Sequence, residues 1–183
     1  MISLRKINVI LVIIIIIVLA YHAMLNVLGM YGLVAYSPDF KVTGRRLFYP
    51  FVCHIVISLY LSIRDKSRKF NIYPKLTRDT TQQLLSGIFM IVFAALHILV
   101  KMYLPGLSSD ATVNLTHFAV DILLFISVAV HLNVSIPKLF VSLGFLDGDD
   151  SYRNMQSKTK IVISIIMVAF IIGEIIFYIG GIK

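Results

Sequence analysis

Five histidines, His22, His54, His97, His117 and His131, fall within or at the edge of long apolar segments. An imidazole at membrane depth is costly, so it normally faces other helices and has a partner or a task. One such ring is often satisfied by an interhelical hydrogen bond. A ring on each of four successive segments points instead to ligation. Haem iron takes two axial imidazoles from facing helices to make an electron carrier, and a four-helix core supplies that geometry. Two acids share the apolar segments. Asp121 lies one turn after His117 on the same face, and a carboxylate beside a histidine near a membrane face can take protons from a quinol. Glu174 sits mid-segment, as a neutral acid in a polar pocket, a neighbour of a haem propionate or a proton relay; the sequence leaves these open. Asp39, in the stretch YSPDF, is a further proton-acceptor candidate, its plain alternative being a solvated loop acid.

The elements that must hold these residues follow from composition. Of 183 residues, 58% are hydrophobic and 14% charged, far from the balance of a soluble domain. Five segments, about residues 7–33, 46–64, 82–104, 112–137 and 157–181, are long and apolar enough to cross a bilayer. The expected fold is therefore all-α: one integral membrane domain over residues 1–183, with a four-helix haem-binding core and a fifth helix. The first segment is too long for the core of a signal peptide and lacks a small-residue cleavage pattern, so it reads as a retained span. Cys53 is alone and makes no internal disulfide or metal motif. The net charge of +8 bears on topology rather than on nucleic acid. With the N-terminus inside, twelve Lys and Arg fall on the inner face. Lys41, Arg45, Arg46, Lys101 and Lys183 fall outside. That bias predicts a multi-pass protein of a cytoplasmic-type membrane, N-terminus in and C-terminus out.

Depth then sorts the rings. His22 and His97 each precede the outer end of their spans by six to eight residues, roughly 10 Å at 1.5 Å per residue. They form a plausible pair for an outer, distal haem. Ser86, Gly87, Ala94 and Ala95, upstream of His97, are small enough to admit a porphyrin or to mediate helix packing. His131 lies nearer the inner end of its span, leaving His54 as its only unassigned partner, although His54 is shallow for an inner haem. His117 reads as interfacial or hydrogen-bonded rather than ligating.

The stretch DTTQQLLSGIFMIVFAALHILVKMY, residues 79–103, resembles the third span of the dihaem cytochrome b subunit of fumarate reductases and succinate dehydrogenases. Ser86-Gly87 stands ten residues before His97, as a Ser/Thr-Gly pair does before a ligand histidine in that family. AVHLNVSIPKLFVSLGFLDGDD, with His131, Lys138 and Gly144, resembles the family's fourth span and its exit. AYHAMLNVLG around His22 resembles its first ligand site. The resemblance implies two b-type haems, a distal one on His22 and His97 and a proximal one with His131. It also implies a quinone, taken as menaquinone, and a flavoprotein and an iron–sulfur subunit docked on the inner face, where the basic loop from Arg64 to Arg78 would suit them. The chain would then be a subunit of a quinone-linked oxidoreductase, in contact with lipid and without catalytic residues for the dicarboxylate. A homodimer of such complexes is left open. Two departures stand out. Aligning LYLSIRDK with the family's second-span exit puts Ser58 at the ligand position, with His54 one turn earlier. Ala129 stands where some members have an acid.

Two other readings fit the residues. One is a single-haem cytochrome using His22 and His97. The other is a haem-free proton-coupled transporter, against which the absence of inverted repeats and broken spans speaks.

Overall fold

The structure, a computed structural model, describes residues 3–35, 37–66, 74–103 and 110–178. Five helices account for nearly all of them: α1 (Leu4–Met30), α2 (Pro38–Lys66), α3 (Pro74–Tyr103), α4 (Asp110–Ser142) and α5 (Gly148–Tyr178). Each is long and apolar enough to cross a membrane. The shortest, α1, has 27 residues, about 40 Å at 1.5 Å per residue, which exceeds a hydrocarbon core of about 30 Å.

The termini show why helices and expected spans differ by several residues. Ser3 caps α1 by accepting from the Lys6 amide, so the helix starts before the apolar run does. It stops at Met30, short of Leu33, because Gly32 takes φ +70° and the amides of Gly32 and Leu33 turn back onto the carbonyls of Gly29 and Leu28. That is a Schellman ending, which glycine adopts without strain. The same closure at Gly144 (φ +80°), with Gly144 and Phe145 bonding back to Val141 and Phe140, ends α4. The helix thus continues beyond Pro137, which lies inside it and is fully buried. Proline is tolerated within membrane helices because neighbouring helices satisfy the freed backbone groups. Pro38 at the first position of α2 starts that helix eight residues before the expected boundary, taking Lys41, Arg45 and Arg46 into its first turns.

Burial is inverted relative to a soluble protein. Ile17, Val56, Phe89, Ile165 and many other large apolar side chains are exposed, while Thr43, Asp79, Ser86, His117, Asp121, Ser127, Thr159 and Glu174 are buried. Helices in lipid associate through small and polar residues rather than through an oily core, because lipid is as apolar as leucine.

The chain divides into two compact units, residues 1–72 and 73–183. In the first, α1 and α2 pack antiparallel, with two glycines set against side chains of the facing helix. A Cβ added at Gly44 would lie 3.2 Å from His22 Cε1, and one at Gly29 would lie 3.0 Å from Phe40 Cε1. In the second, α3, α4 and α5 pack consecutively. Polar pairs mark the antiparallel α3–α4 seam: His97 with Asp121, Ser86 with His131, Gln83 with Ser135, and Thr80 with Lys138. The α4–α5 register is fixed by Tyr178 against His117 and by Phe125 stacked on Phe170 at 4.0 Å. At the opposite end, Tyr152 of α5 donates its hydroxyl to Asp79 of α3 at 3.0 Å.

Candidate functional site

Two of the histidines belong to the first unit. His22 Nδ1 lies 3.1 Å from Thr43 Oγ1, and Thr43 donates its own hydroxyl to the Phe40 carbonyl. The Thr43 oxygen can therefore accept from Nδ1, while the Asn26 amide nitrogen lies 3.4 Å from both nitrogens of the ring. Gly44 makes room for the ring against the α2 backbone. Asn26, one turn along α1, donates to the His22 carbonyl at 2.7 Å. His54 Nδ1 lies 2.9 Å from Asn8 Oδ1, an acceptor-only atom, and Ser58 shares the contact at 3.3 Å from both. Ser58 thus stands with His54, four residues away, around one amide of α1. Asn8 is the partner that reasoning from the histidines missed. Its signal was a lone amide in an otherwise uninterrupted apolar run.

In the second unit, His131 Nδ1 approaches the Gln83 carbonyl at 3.1 Å and Ser86 Oγ at 3.2 Å. A Cβ on Gly87 would meet the His131 ring at 3.5 Å. Ser86 and Gly87 therefore serve His131 across the α3–α4 seam rather than His97 on their own helix, which is ten residues or about 15 Å away. An open groove of about 610 Å³ is lined by Ser86 together with Leu85, Phe89, Ile126, Val130, Thr81, Gln82 and Ser127. Lys138 reaches Thr80 Oγ1 at 3.0 Å and Gln83 Oε1 at 3.1 Å, tying α4 to the first turns of α3.

The densest cluster joins the last turns of α3 and α5 to the first turns of α4. Asp121 places Oδ1 2.5 Å from His97 Nδ1 and Oδ2 2.8 Å from His117 Nδ1. The Tyr178 hydroxyl lies 2.7 Å from the same His117 nitrogen. The His97 and His117 rings meet edge to face with centroids 5.2 Å apart. Glu174 falls midway between Phe170 and Tyr178, one turn from each, and so in the layer of Asp121. It is fully buried, and among the described residues neither carboxylate oxygen has a hydrogen-bond partner; His117 Nε2 is enclosed without one among them too.

His97, His117 and Asp121 each offer a ligand atom, all within 4.8 Å of one another. Ligands sharing one cation at about 2.0–2.1 Å stand about 3.3 Å apart in a tetrahedral sphere. The contacts of 2.5 and 2.8 Å are those of hydrogen bonds, and the triad is read as a hydrogen-bonded string.

The remaining sequence candidates separate. His22 and His54 lie in the first unit, and His97, His117, His131, Asp121 and Glu174 in the second. Asp39 opens α2, but its side chain lies outside the described residues, as do residues 67–73 and the side chains of residues 65–66 and 74–78. Tyr178 was missed, although its i, i+4 spacing from Glu174 was a legible signal.

Comparison with protein-family models, with curated proteins and with solved structures finds no match to this chain.

Proposed function

We propose that this chain is a b-type cytochrome subunit of a membrane oxidoreductase, carrying electrons between a membrane quinone, menaquinone by the resemblance, and a peripheral flavoprotein with its iron–sulfur partner on the inner face. One observation carries the reading. His22, His54, His97 and His131 all direct Nδ1 at an oxygen that can only accept: Thr43, Asn8, Asp121 and the Gln83 carbonyl. A neutral imidazole that donates through Nδ1 keeps its lone pair on Nε2, the form in which it binds iron. A partner on Nδ1 is the usual means of fixing ring orientation in metal-ligating histidines. The same four rings are half-buried, whereas His117 is 4% exposed with Nε2 enclosed. His117 also directs Nδ1 at a carboxylate oxygen of Asp121, and differs from the four in its burial and its enclosed Nε2.

The surroundings fit a haem in kind. Glycines at 44 and 87 seat the His22 and His131 rings against neighbouring helices. A groove lined by the apolar Leu85, Phe89, Ile126 and Val130 and the polar Thr81, Gln82, Ser86 and Ser127 adjoins Ser86, the neighbour of the His131 ring. Haem, when bound, supplies reversible one-electron chemistry at iron. The pairings themselves, His22 with His97 for a distal haem and His54 with His131 for a proximal one in a four-helix core, come from span depth and the family resemblance. Each takes one residue from each unit, and the units are described separately. His117, Asp121, Glu174 and Asp39 are the groups available to handle protons of a quinol.

Pyridine haemochrome quantitation on the purified, full-length protein tests the reading. About two haems b per polypeptide is the expected result, and about one would leave the single-haem alternative. A preparation from haem-replete membranes with no Soret band would overturn the cytochrome assignment and favour a haem-free role for the histidines.

A further inference from the structure

The four rings assigned as ligands are not held alike. Thr43, Asn8 and the Gln83 carbonyl are neutral partners. His97 alone among them faces a carboxylate, Asp121, at 2.5 Å. Asp121 is 8% exposed, and both its oxygens are committed, the second to His117. The layer below is closed by the Phe125–Phe170 stack, and Glu174 of the same face is fully buried. In so dry a setting a charge-assisted hydrogen bond is stronger than in water. It draws the Nδ1 proton away from the ring and raises the electron density at Nε2, as acidic partners of metal-bound histidines do.

We infer that Asp121 is a positioning residue for the redox centre: it fixes the His97 ring through Nδ1 and makes Nε2 a more anionic, stronger donor, lowering the midpoint potential of the haem that His97 binds. This inference rests on the cytochrome reading above. Its chemistry follows from charge balance. An electron-rich axial nitrogen stabilises ferric iron more than ferrous, so the equilibrium for adding one electron moves toward the oxidised form. His117 occupies the carboxylate's other oxygen, and the Tyr178 hydroxyl lies against the same His117 nitrogen, so that the carboxylate is held between His97 and His117.

The test is potentiometric titration of the full-length protein, followed at the reduced haem α-band and by ferric electron paramagnetic resonance. Asp121→Asn keeps the shape and removes the charge. It is expected to raise the midpoint of one haem, to shift the low-field signal of that haem only, and to leave haem content unchanged. Asp121→Glu is expected to restore values close to the wild type. Unmoved potentials and spectra in a haem-replete Asp121→Asn protein would overturn the inference while leaving the cytochrome reading intact, as would an equal shift of every haem. If the Asn variant does not fold, the wild-type spectrum decides. One signal with the anisotropy of a histidinate-like ligand supports the inference, and only neutral bis-imidazole signals overturn it. A wild-type protein without haem overturns the cytochrome reading itself.

Discussion

At the residue scale the feature that most needs a cause is Glu174, fully buried with both carboxyl oxygens lacking a partner among the described residues. A buried polar group without a hydrogen bond costs about 1–3 kcal/mol. Replacing it by an apolar side chain of similar size removes that cost. Glu174→Leu is therefore expected to stabilise the detergent-solubilised protein by about 1–3 kcal/mol, read as a rise in the thermal unfolding midpoint. A fall would mean that Glu174 is engaged by a group other than those around it in the fold, and would strengthen its candidacy in proton handling. Gly44 argues in the opposite direction. A Cβ there would already press the His22 ring at 3.2 Å, so Gly44→Val is expected to cost about 1–3 kcal/mol by overpacking. On the cytochrome reading it would also lower the occupancy of the haem that His22 binds. Haem content per polypeptide and the unfolding midpoint are the two measurements. A stable variant with full haem would show that α1 and α2 part without consequence at this crossing.

At the scale of the elements, polar contacts join the helices alongside a small set of buried apolar side chains such as Val134 and Phe170. Tyr152 and Asp79 make one of these joints, between α5 and α3. Tyr152→Phe leaves the packing of the ring intact but strips the donor from a buried carboxylate, 7% exposed. The expected cost is about 1–3 kcal/mol, and Asp79→Asn in the same background should recover part of it. A double-mutant cycle in detergent measures the coupling; independent, additive effects would dissolve the joint. Much of this level was legible in the sequence. The five spans follow from apolar length alone, and His117 with Asp121 follows from helical spacing. The helix ends were less legible, because they are set by backbone closure at Gly32 and Gly144 and by the start at Pro38 rather than by hydropathy. Partners across helices were not legible at all. That Ser86 and Gly87 serve His131, or that Asn8 serves His54, depends on the register between two helices. A stripe of small residues on one helix does not specify that register.

At the scale of the whole molecule the outward face is apolar along every helix, and the remaining determinant is which way the chain threads. Lys and Arg are retained on the side of synthesis because moving them through the hydrocarbon is costly, and the bias is read within short loops. Arg64, Lys66, Arg68, Lys69, Lys75 and Arg78 cluster between the second and third spans, whereas the segment between the third and fourth carries Lys101 alone. This asymmetry predicts residues 64–78 inside and residue 183 outside. The native thiol Cys53 is exposed on α2, so the test begins from a Cys53→Ser background with single cysteines introduced as Arg68→Cys or Lys183→Cys. A membrane-impermeant maleimide applied to intact cells is expected to label the second and not the first. Permeabilisation should then expose the first. The reverse pattern would invert the topology and put the basic segment on the wrong side for a cytoplasmic flavoprotein. Spans, rings and hydrogen bonds would stay unchanged, so the experiment separates the docking part of the proposed function from its electron-carrying part.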